Sequence, residues 1–443
     1  MSTSMISPRL SSPRLADILQ PEANTFGLMR LIAALAVVVS HSFHLAGAPE
    51  SAEPLAGLTG YSLGEHAVHL FFTLSGVLIA ASLMRSENLG VYLRARALRL
   101  LPGLAACVLV TALVAGPLLS ELSKVQYFHD ANLYRYIGLT LGLITANAPL
   151  PGVFNHNPVP DIVNLPLWTL KYESMCYLGL ALLGFLGVMR SARLATAVLV
   201  PLMLAWVAVA AFPEHLPVGP TALSFLRLAF SFGLGTLAYI WRDRLPVHWW
   251  GVALVWFAMA LAVGTRLQGP AGQIFVAYAV LWAASLPAGW LGAATRKNDL
   301  SYGVYIYDWL IAQAVVNLVP GISQPVLLAA TLALLLPVAA LSWFLIEKPA
   351  LGWKCRRVAG TNETTKRVQL ALRADPPVAA AEVIECPVFP TQGPARLRLA
   401  RILGSTPHSV PLPKGEGILV VPTAAIASLP PWGKGPDEAL LPA

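Results

Sequence analysis

Residues 26–45 of the chain read FGLMRLIAALAVVVSHSFHL. This run is long and apolar enough to cross the ~30 Å hydrocarbon layer of a bilayer as one helix. It nevertheless carries Arg30 near its start, and His41 and His44 near its end. Arg30 and His41 are about three helical turns apart, so they share one face and lie roughly 16 Å apart along the helix axis. Burying an ionisable group in a membrane helix costs free energy, so two such residues on one face favour a functional site. In the alternative, Arg30 extends its charged end to the membrane surface and His41 is a hydrogen-bonded packing residue.

The rest of the chain has the same apolar character. Of its 443 residues, 56% are hydrophobic and 12% are charged, which is about half the charged fraction of a soluble domain. The net charge is +8, and many of the basic residues lie in short loops between apolar runs, as is usual in membrane proteins. The sequence contains no nucleic-acid-binding motif. The four cysteines have neither metal-ligand nor disulfide spacing. We therefore expect a polytopic membrane protein with no metal site and no nucleic-acid partner.

The apolar runs predict an all-α membrane helix bundle of ten transmembrane helices. They cover approximately residues 26–45, 66–84, 100–119, 166–188, 194–212, 222–241, 248–265, 272–290, 300–319 and 325–346. With this arrangement, sixteen lysines and arginines fall in loops on one side and three on the other. The positive-inside rule then predicts that both termini are cytoplasmic.

Three segments do not fit a simple span. Residues 1–25 are polar and rich in Ser and Pro, and we expect a disordered cytoplasmic N-terminus before a membrane domain at 26–350. Residues 351–443 are rich in Pro and Ala and predict a disordered cytoplasmic tail. The apolar segment 134–148 is short, and counting it as a span would invert every later loop. We expect a helix at the outer face or a re-entrant segment covered by protein.

Polar residues at the two ends of the spans are the candidates for chemistry. Arg96 and Arg99 lie at the cytoplasmic end of span 3, where their guanidinium groups could bind a phosphate. Arginines that serve only the positive-inside rule would have the same position in the sequence. Glu173 shares a face with Tyr177 at the outer end of span 4, at a height similar to the histidines of span 1. One face of span 9 carries hydroxyl, aromatic and carboxylate groups, from Ser301, Tyr302, Tyr305 and Asp308. Either these side chains line a sugar-binding site or they only pack against other helices.

Span 2 carries a second polar group. Ser75-Gly76 forms a notch that admits a ligand or another helix. His66 and His69 are three residues apart, a spacing that suits a metal, but no third ligand is placed to complete a site.

In combination, these residues resemble the integral membrane acyltransferase-3 family over residues 24 to 350. Arg30 and His41 match its R-x10-H motif, Phe71 to Gly76 match FFxxSG, and Arg96 and Arg99 match RxxR. Three further stretches resemble the remaining signatures: Trp168-Thr169-Leu170-x-x-Glu173-x-x-x-Tyr177, Ser301-Tyr302-Gly303-Val304-Tyr305 and Glu347-Lys348-Pro349. One departure is Asp308, where many members have His.

The resemblance implies a multi-pass protein of the bacterial inner membrane that transfers an acyl group, usually acetyl, from cytoplasmic acyl-CoA. The acceptor would be a hydroxyl of an envelope or exported carbohydrate such as a lipopolysaccharide or exopolysaccharide. His41 would be the general base, assisted by Glu173, with Arg30 binding CoA or stabilising the oxyanion. Arg96, Arg99 and Ser75 would bind the cofactor, and five residues would bind the acceptor: Trp168, Tyr177, Ser301, Tyr305 and Asp308.

Several alternatives stay open. An acyl-histidine intermediate is one, and acylation of an amine, an antibiotic or peptidoglycan is another. A transporter or flippase that uses His41 and Glu173 as a proton relay is the rival from another class. The expected partners are acyl-CoA, the carbohydrate acceptor and membrane lipid, and the sequence leaves open a homo-oligomer or a partner protein.

Overall fold

The computed structural model describes residues 14–20, 25–49, 52–53 and 55–356, together with two short strands. The chain divides into a unit at Met1–Lys354 and a second unit at Cys355–Ala443. In the second unit, the strands β1 (Arg398–Leu399) and β2 (Ile418–Leu419) pair in parallel. The expected disorder of residues 1–13 and of most of the 351–443 tail lies outside the described residues.

The described part of the first unit is helical. The α-helices, numbered α1 to α17 in chain order, are Leu15–Ile18, Phe26–Leu45, Ala56–Thr59, Leu63–Arg85, Leu89–Val110, Gly116–Leu119, Lys124–His129, Ala131–Leu141, Trp168–Phe185, Ala192–Ala211, Pro220–Ile240, Trp249–Ala262, Gln268–Ala283, Gly289–Lys297, Ser301–Leu318, Gln324–Ser342 and Lys348–Arg356. Wider π-helical turns at Thr111–Ala115 and Trp343–Glu347 join α5 to α6 and α16 to α17. Two 3₁₀ turns, Leu165–Leu167 and Val188–Arg190, precede α9 and α10.

Each of the ten predicted spans contains a helix. Among the described residues, six helical stretches are long and apolar enough to cross a membrane: Phe26–Leu45, Leu63–Arg85, Leu89–Leu119, Ala192–Ala211, Pro220–Ile240 and Gln324–Trp353. The other four predicted spans correspond to α9, α12, α13 and α15. The fold is thus an all-α, multi-pass membrane bundle, while the number ten and the cytoplasmic termini stay predictions.

The helix α2 lies at the centre of the bundle, against α4, α15 and α16. The notch predicted at Ser75-Gly76 admits a helix, because α4 packs closely against α11 there. A Cβ atom on Gly76 would lie 2.1 Å from the Phe232 carbonyl oxygen, and one on Gly235 would lie 1.9 Å from that of Thr73. Small residues at this crossing let the two backbones approach.

The segment before α9 does not form a span. Its helix α8 has eleven residues, about half of what a membrane crossing needs, and irregular backbone follows. Side chains bond this backbone to α15: Trp309 Nε1 donates to the Ile162 carbonyl at 2.9 Å, and Gln313 Nε2 donates to that of Val159 at 2.7 Å. Asn164 Nδ2 donates in return to the Ile306 carbonyl at 3.1 Å. The polar groups of this loop are thus bonded to protein, and the loop is fixed against the middle of α15.

The N-terminal segment differs from its prediction. Disorder was expected through residue 25, but residues 14–20 have a defined structure and contact the loop that follows α11. The backbone N–H of Leu15 donates to the Leu245 carbonyl at 3.1 Å, and that of Ala16 donates to Arg242 at 3.1 Å. Leu15 and Ile18 are buried in the core. The spacing of these two apolar residues puts them on one face of a helical turn, a signal too short to detect within a polar segment.

Candidate active site

A histidine–aspartate pair joins α2 to α15. His41 Nδ1 lies 2.6 Å from Asp308 Oδ2, and the Asp308 side chain is 1% exposed. The second oxygen, Asp308 Oδ1, accepts from the backbone N–H of Trp309 at 2.6 Å. The Trp309 ring packs edge-on against the imidazole, with centroids 4.8 Å apart. The pair fixes the imidazole orientation and leaves Nε2 available to a substrate.

His41 lines a cavity of about 450 Å³, which we call the histidine chamber. Its wall includes His41, His44, Glu53, His69, Arg227 and Tyr305. A second histidine–carboxylate contact lies there, since His44 Nδ1 is 3.6 Å from Glu53 Oε2, and Ser40 donates to Glu53 Oε1. Burial raises the pKa of the Glu53 carboxyl against the opposing effect of His44. The chamber is large enough for a sugar residue and contains a histidine oriented by a carboxylate.

The other end of α2 lines a cavity of about 210 Å³, the arginine chamber. Three arginines and two carboxylates stand in its wall: Arg30, Arg96, Arg99, Glu173 and Asp299. This gives the wall a formal excess of positive charge. An anionic ligand is the kind of molecule that such a wall favours.

Asp299, which precedes α15, organises these arginines. Its Oδ2 accepts from Arg30 Nη1 at 2.9 Å and from Arg99 Nη2 at 2.7 Å. Its Oδ1 accepts from the hydroxyl of Ser301 at 2.5 Å. Burial favours a higher pKa, but the two guanidiniums outweigh it and lower the pKa of Asp299 to about 2. Arg96 differs, because its Nη2 has only a long contact of 3.4 Å to Ser82 and its buried Nε lacks a partner within the described part of the chain.

A small cavity of about 40 Å³ lies between the chambers. It shares Arg30, Ser75, Glu173 and Tyr302 with the arginine chamber. With the histidine chamber it shares Tyr305 and Val68. Three adjoining cavities therefore form a line from Arg96 and Arg99 to His41, and its narrow middle lies where Phe71 packs against Tyr305 with ring centroids 5.5 Å apart.

The expected pairing of His41 with Glu173 is wrong. Glu173 accepts from Ser75 Oγ at 3.1 Å and from the Tyr177 hydroxyl, and it lines the arginine chamber and the middle cavity. The carboxylate at His41 is Asp308, which the sequence placed among the acceptor-binding residues. The signal for it was present: an acidic side chain at the middle of an apolar helix requires a partner.

The remaining predicted site residues divide among the three cavities. Trp168 lines the histidine chamber together with Tyr305, whose hydroxyl lies 2.7 Å from that of Thr169. Tyr177 lies in the wall of the arginine chamber and Ser301 in that of the middle cavity, rather than with the other expected acceptor residues. Sequence reasoning missed Asp299, Glu53 and Arg227. Asp299 and Glu53 lie outside the predicted spans, and Arg227 was not singled out in span 6.

Comparison with known proteins agrees with this architecture. A family model described as "Acyltransferase domain" matches residues 24–347. An O-acetyl transferase of Shigella phage Sf6 is 29% identical over 343 residues, which cover 74% of this chain and 96% of the phage protein. Nodulation protein 10 of Rhizobium leguminosarum bv. viciae is 29% identical over 384 residues, covering 76% of this chain and 95% of that protein. No solved structure matches the chain at a significant level.

Proposed function

The chain belongs to the acyltransferase-3 family, and from this premise we propose that it transfers an acetyl group from cytoplasmic acetyl-CoA to a carbohydrate hydroxyl. The acceptor is a glycan of the envelope or an exported glycan, and the protein works in the inner membrane of a bacterium. The phage relative named as an O-acetyl transferase supports acetyl as the acyl group and oxygen as the acceptor atom.

The single observation that carries the proposal is the position of the His41–Asp308 pair. It lies at one end of a line of cavities that begins among three arginines. Phosphate groups of CoA suit the arginine chamber, because guanidinium groups donate in pairs to phosphate oxygens. The pantetheine arm then passes Ser75 and Arg30 through the middle cavity and brings the thioester to the histidine chamber. Arg30 and His41 are about 16 Å apart along α2, which an extended arm spans.

In the proposed reaction, His41 Nε2 accepts the proton of the acceptor hydroxyl as its oxygen attacks the thioester carbonyl. The tetrahedral intermediate collapses, the C–S bond breaks, and the imidazolium returns the proton to the departing thiolate. The products are the ester and CoA, with no net release of a proton. Asp308 holds the Nδ1–H tautomer and stabilises the transient imidazolium.

The positions of two residues along the line of cavities refine their proposed roles. Arg30 is about three helical turns from His41, too far to stabilise an oxyanion there, so we assign it to the donor. Glu173 belongs to the donor side as well, through its contacts with Ser75 and Tyr177.

The test uses membrane vesicles that contain the protein, acetyl-CoA labelled in the acetyl group, and glycan extracted from the producing cells. Protein-dependent label in ester linkage to glycan is the expected result, with vesicles lacking the protein as the control. Uptake of glycan or organic acid without CoA, and without ester formation, would overturn the proposal in favour of a transporter.

A further inference from the structure

The wall of the histidine chamber holds another histidine that the reaction above does not use. His69 lies on α4 and lines the same cavity as His41, and it is 1% exposed. Neither of its ring nitrogens has a hydrogen-bond partner among the described residues. A buried polar group without a partner costs free energy, so such a group in a cavity wall points to a ligand.

The surroundings of His69 hold its ring in place without using its nitrogens. The Tyr61 ring packs against the imidazole edge-on with centroids 4.7 Å apart, and Arg227 lies 5.7 Å from the centroid of the same tyrosine. Arg227 is itself paired with Glu65 at 2.6 Å. The imidazole is therefore positioned by packing, and no polar group of the described residues occupies either ring nitrogen.

The two histidines of the chamber differ in what they are equipped to do. His41 has a buried carboxylate at 2.6 Å that stabilises an imidazolium, which suits proton transfer. His69 has no such carboxylate contact in the described structure. One nitrogen of a neutral imidazole donates and the other accepts, and a sugar hydroxyl can pair with either. Metal binding is a poor alternative, because no group of three or more His, Cys, Asp or Glu side chains in the described ranges is placed to hold a metal ion.

We propose that His69 binds a second hydroxyl of the acceptor carbohydrate and so determines which hydroxyl reaches His41. This inference rests on the proposed function. His69 is a specificity-determining residue and takes no part in proton transfer.

The experiment measures transfer from labelled acetyl-CoA while the amount of extracted glycan is varied. Replacing His69 by Phe (H69F) should raise the KM for the glycan roughly tenfold, the effect of losing one hydrogen bond to a substrate. The KM for acetyl-CoA should stay unchanged. H69Q keeps a donor and an acceptor and should restore much of the acceptor affinity. NMR of the product should show one acetylated position with wild-type protein and several with H69F.

His66 provides the matched control. It lies one turn away on α4, its Nε2 is 2.6 Å from the Thr59 hydroxyl, and it does not line the chamber. H66F should leave the acceptor KM and the acetylated position as in wild type, once thermal melting has shown that each variant is folded. H69L serves as a second apolar variant should H69F not fold.

The outcomes separate the two proposals. An acceptor KM and an ester position equal to wild type in a folded apolar variant would overturn the role of His69 alone. Should neither apolar variant fold, H69Q decides: a folded H69Q protein whose KM for the glycan is raised about tenfold, although its side chain keeps a donor and an acceptor, would overturn the role of His69 as well. Wild-type protein that acetylates no glycan would overturn the proposed function, and the inference with it.

Discussion

Replacing Asp308 by Asn changes one group at the centre of the proposed site. The variant keeps the shape of the side chain and removes its charge. Asp308 is 1% exposed and its Oδ2 lies 2.6 Å from His41 Nδ1, so no solvent replaces the lost charge. The amide also stabilises the wrong tautomer when its NH₂ group faces Nδ1.

The size of the effect follows from Coulomb's law. An imidazolium and a carboxylate whose charges lie about 4 Å apart attract by about 4 kcal/mol at an effective dielectric constant of about 20. Each ~1.4 kcal/mol of transition-state stabilisation is a factor of ten in rate. D308N should therefore reduce kcat by about a thousandfold, with little change in the KM for acetyl-CoA, because the donor site lies at the other end of the line of cavities.

The assay is the transfer of labelled acetyl to glycan in vesicles, with both substrates varied. The matched control is E214Q, which makes the same change of acid to amide in an ion pair with Arg266, both side chains being 56% exposed. E214Q should retain full activity. A D308N protein that is folded and keeps kcat within threefold of wild type would refute the assignment of Asp308 as the carboxylate of a proton-transferring pair.

Two further variants test the arginine chamber. D299N removes the carboxylate whose pKa is lowered from 3.8 to about 2, so wild type should exceed the variant in stability by about 2 kcal/mol at neutral pH. A carboxyl whose pKa is lower in the folded than in the unfolded protein stabilises the fold fully only above its unfolded pKa. The difference in melting temperature between wild type and D299N should therefore shrink as the pH falls from 4 towards 2. A difference that stays constant over this range would contradict the role of Asp299. E173Q removes a negative charge near Arg30 and should lower or preserve the KM for acetyl-CoA, with kcat reduced less than tenfold in steady-state transfer. A loss as large as that of D308N would show that Glu173 acts in proton transfer after all.

The fold could be predicted from the lengths of the apolar runs and from the period of an α-helix. They placed a helix within every expected span and put Arg30 and His41 on one face of α2, where each lines one or more of the adjoining cavities. The shortness of the apolar run 134–148 and the charge pattern of the later loops also kept this segment from being counted as a span. The structure agrees, because its helix α8 has eleven residues, too few for a membrane crossing.

The partners of the polar side chains were not predictable in the same way. Sequence position fixes the approximate depth of a residue in the membrane, but not which helices are neighbours. Glu173 and Asp308 both lay at plausible depths for His41, and only the packing of α15 against α2 decides between them. Asp299 was given no role in the site because it lies outside the predicted spans, although it joins Arg30 to Arg99 across the bundle.

In the proposed reaction the His41 imidazole activates the acceptor hydroxyl, and the variant H41A removes this imidazole. The measurement is the rate at which label passes from acetyl-CoA to glycan in vesicles that contain equal amounts of folded wild-type or H41A protein. The loss of a general base predicts a decrease of at least a hundredfold, at roughly the lower end of such effects, with binding of acetyl-CoA retained. Transfer by H41A at the wild-type rate would exclude His41 as the general base.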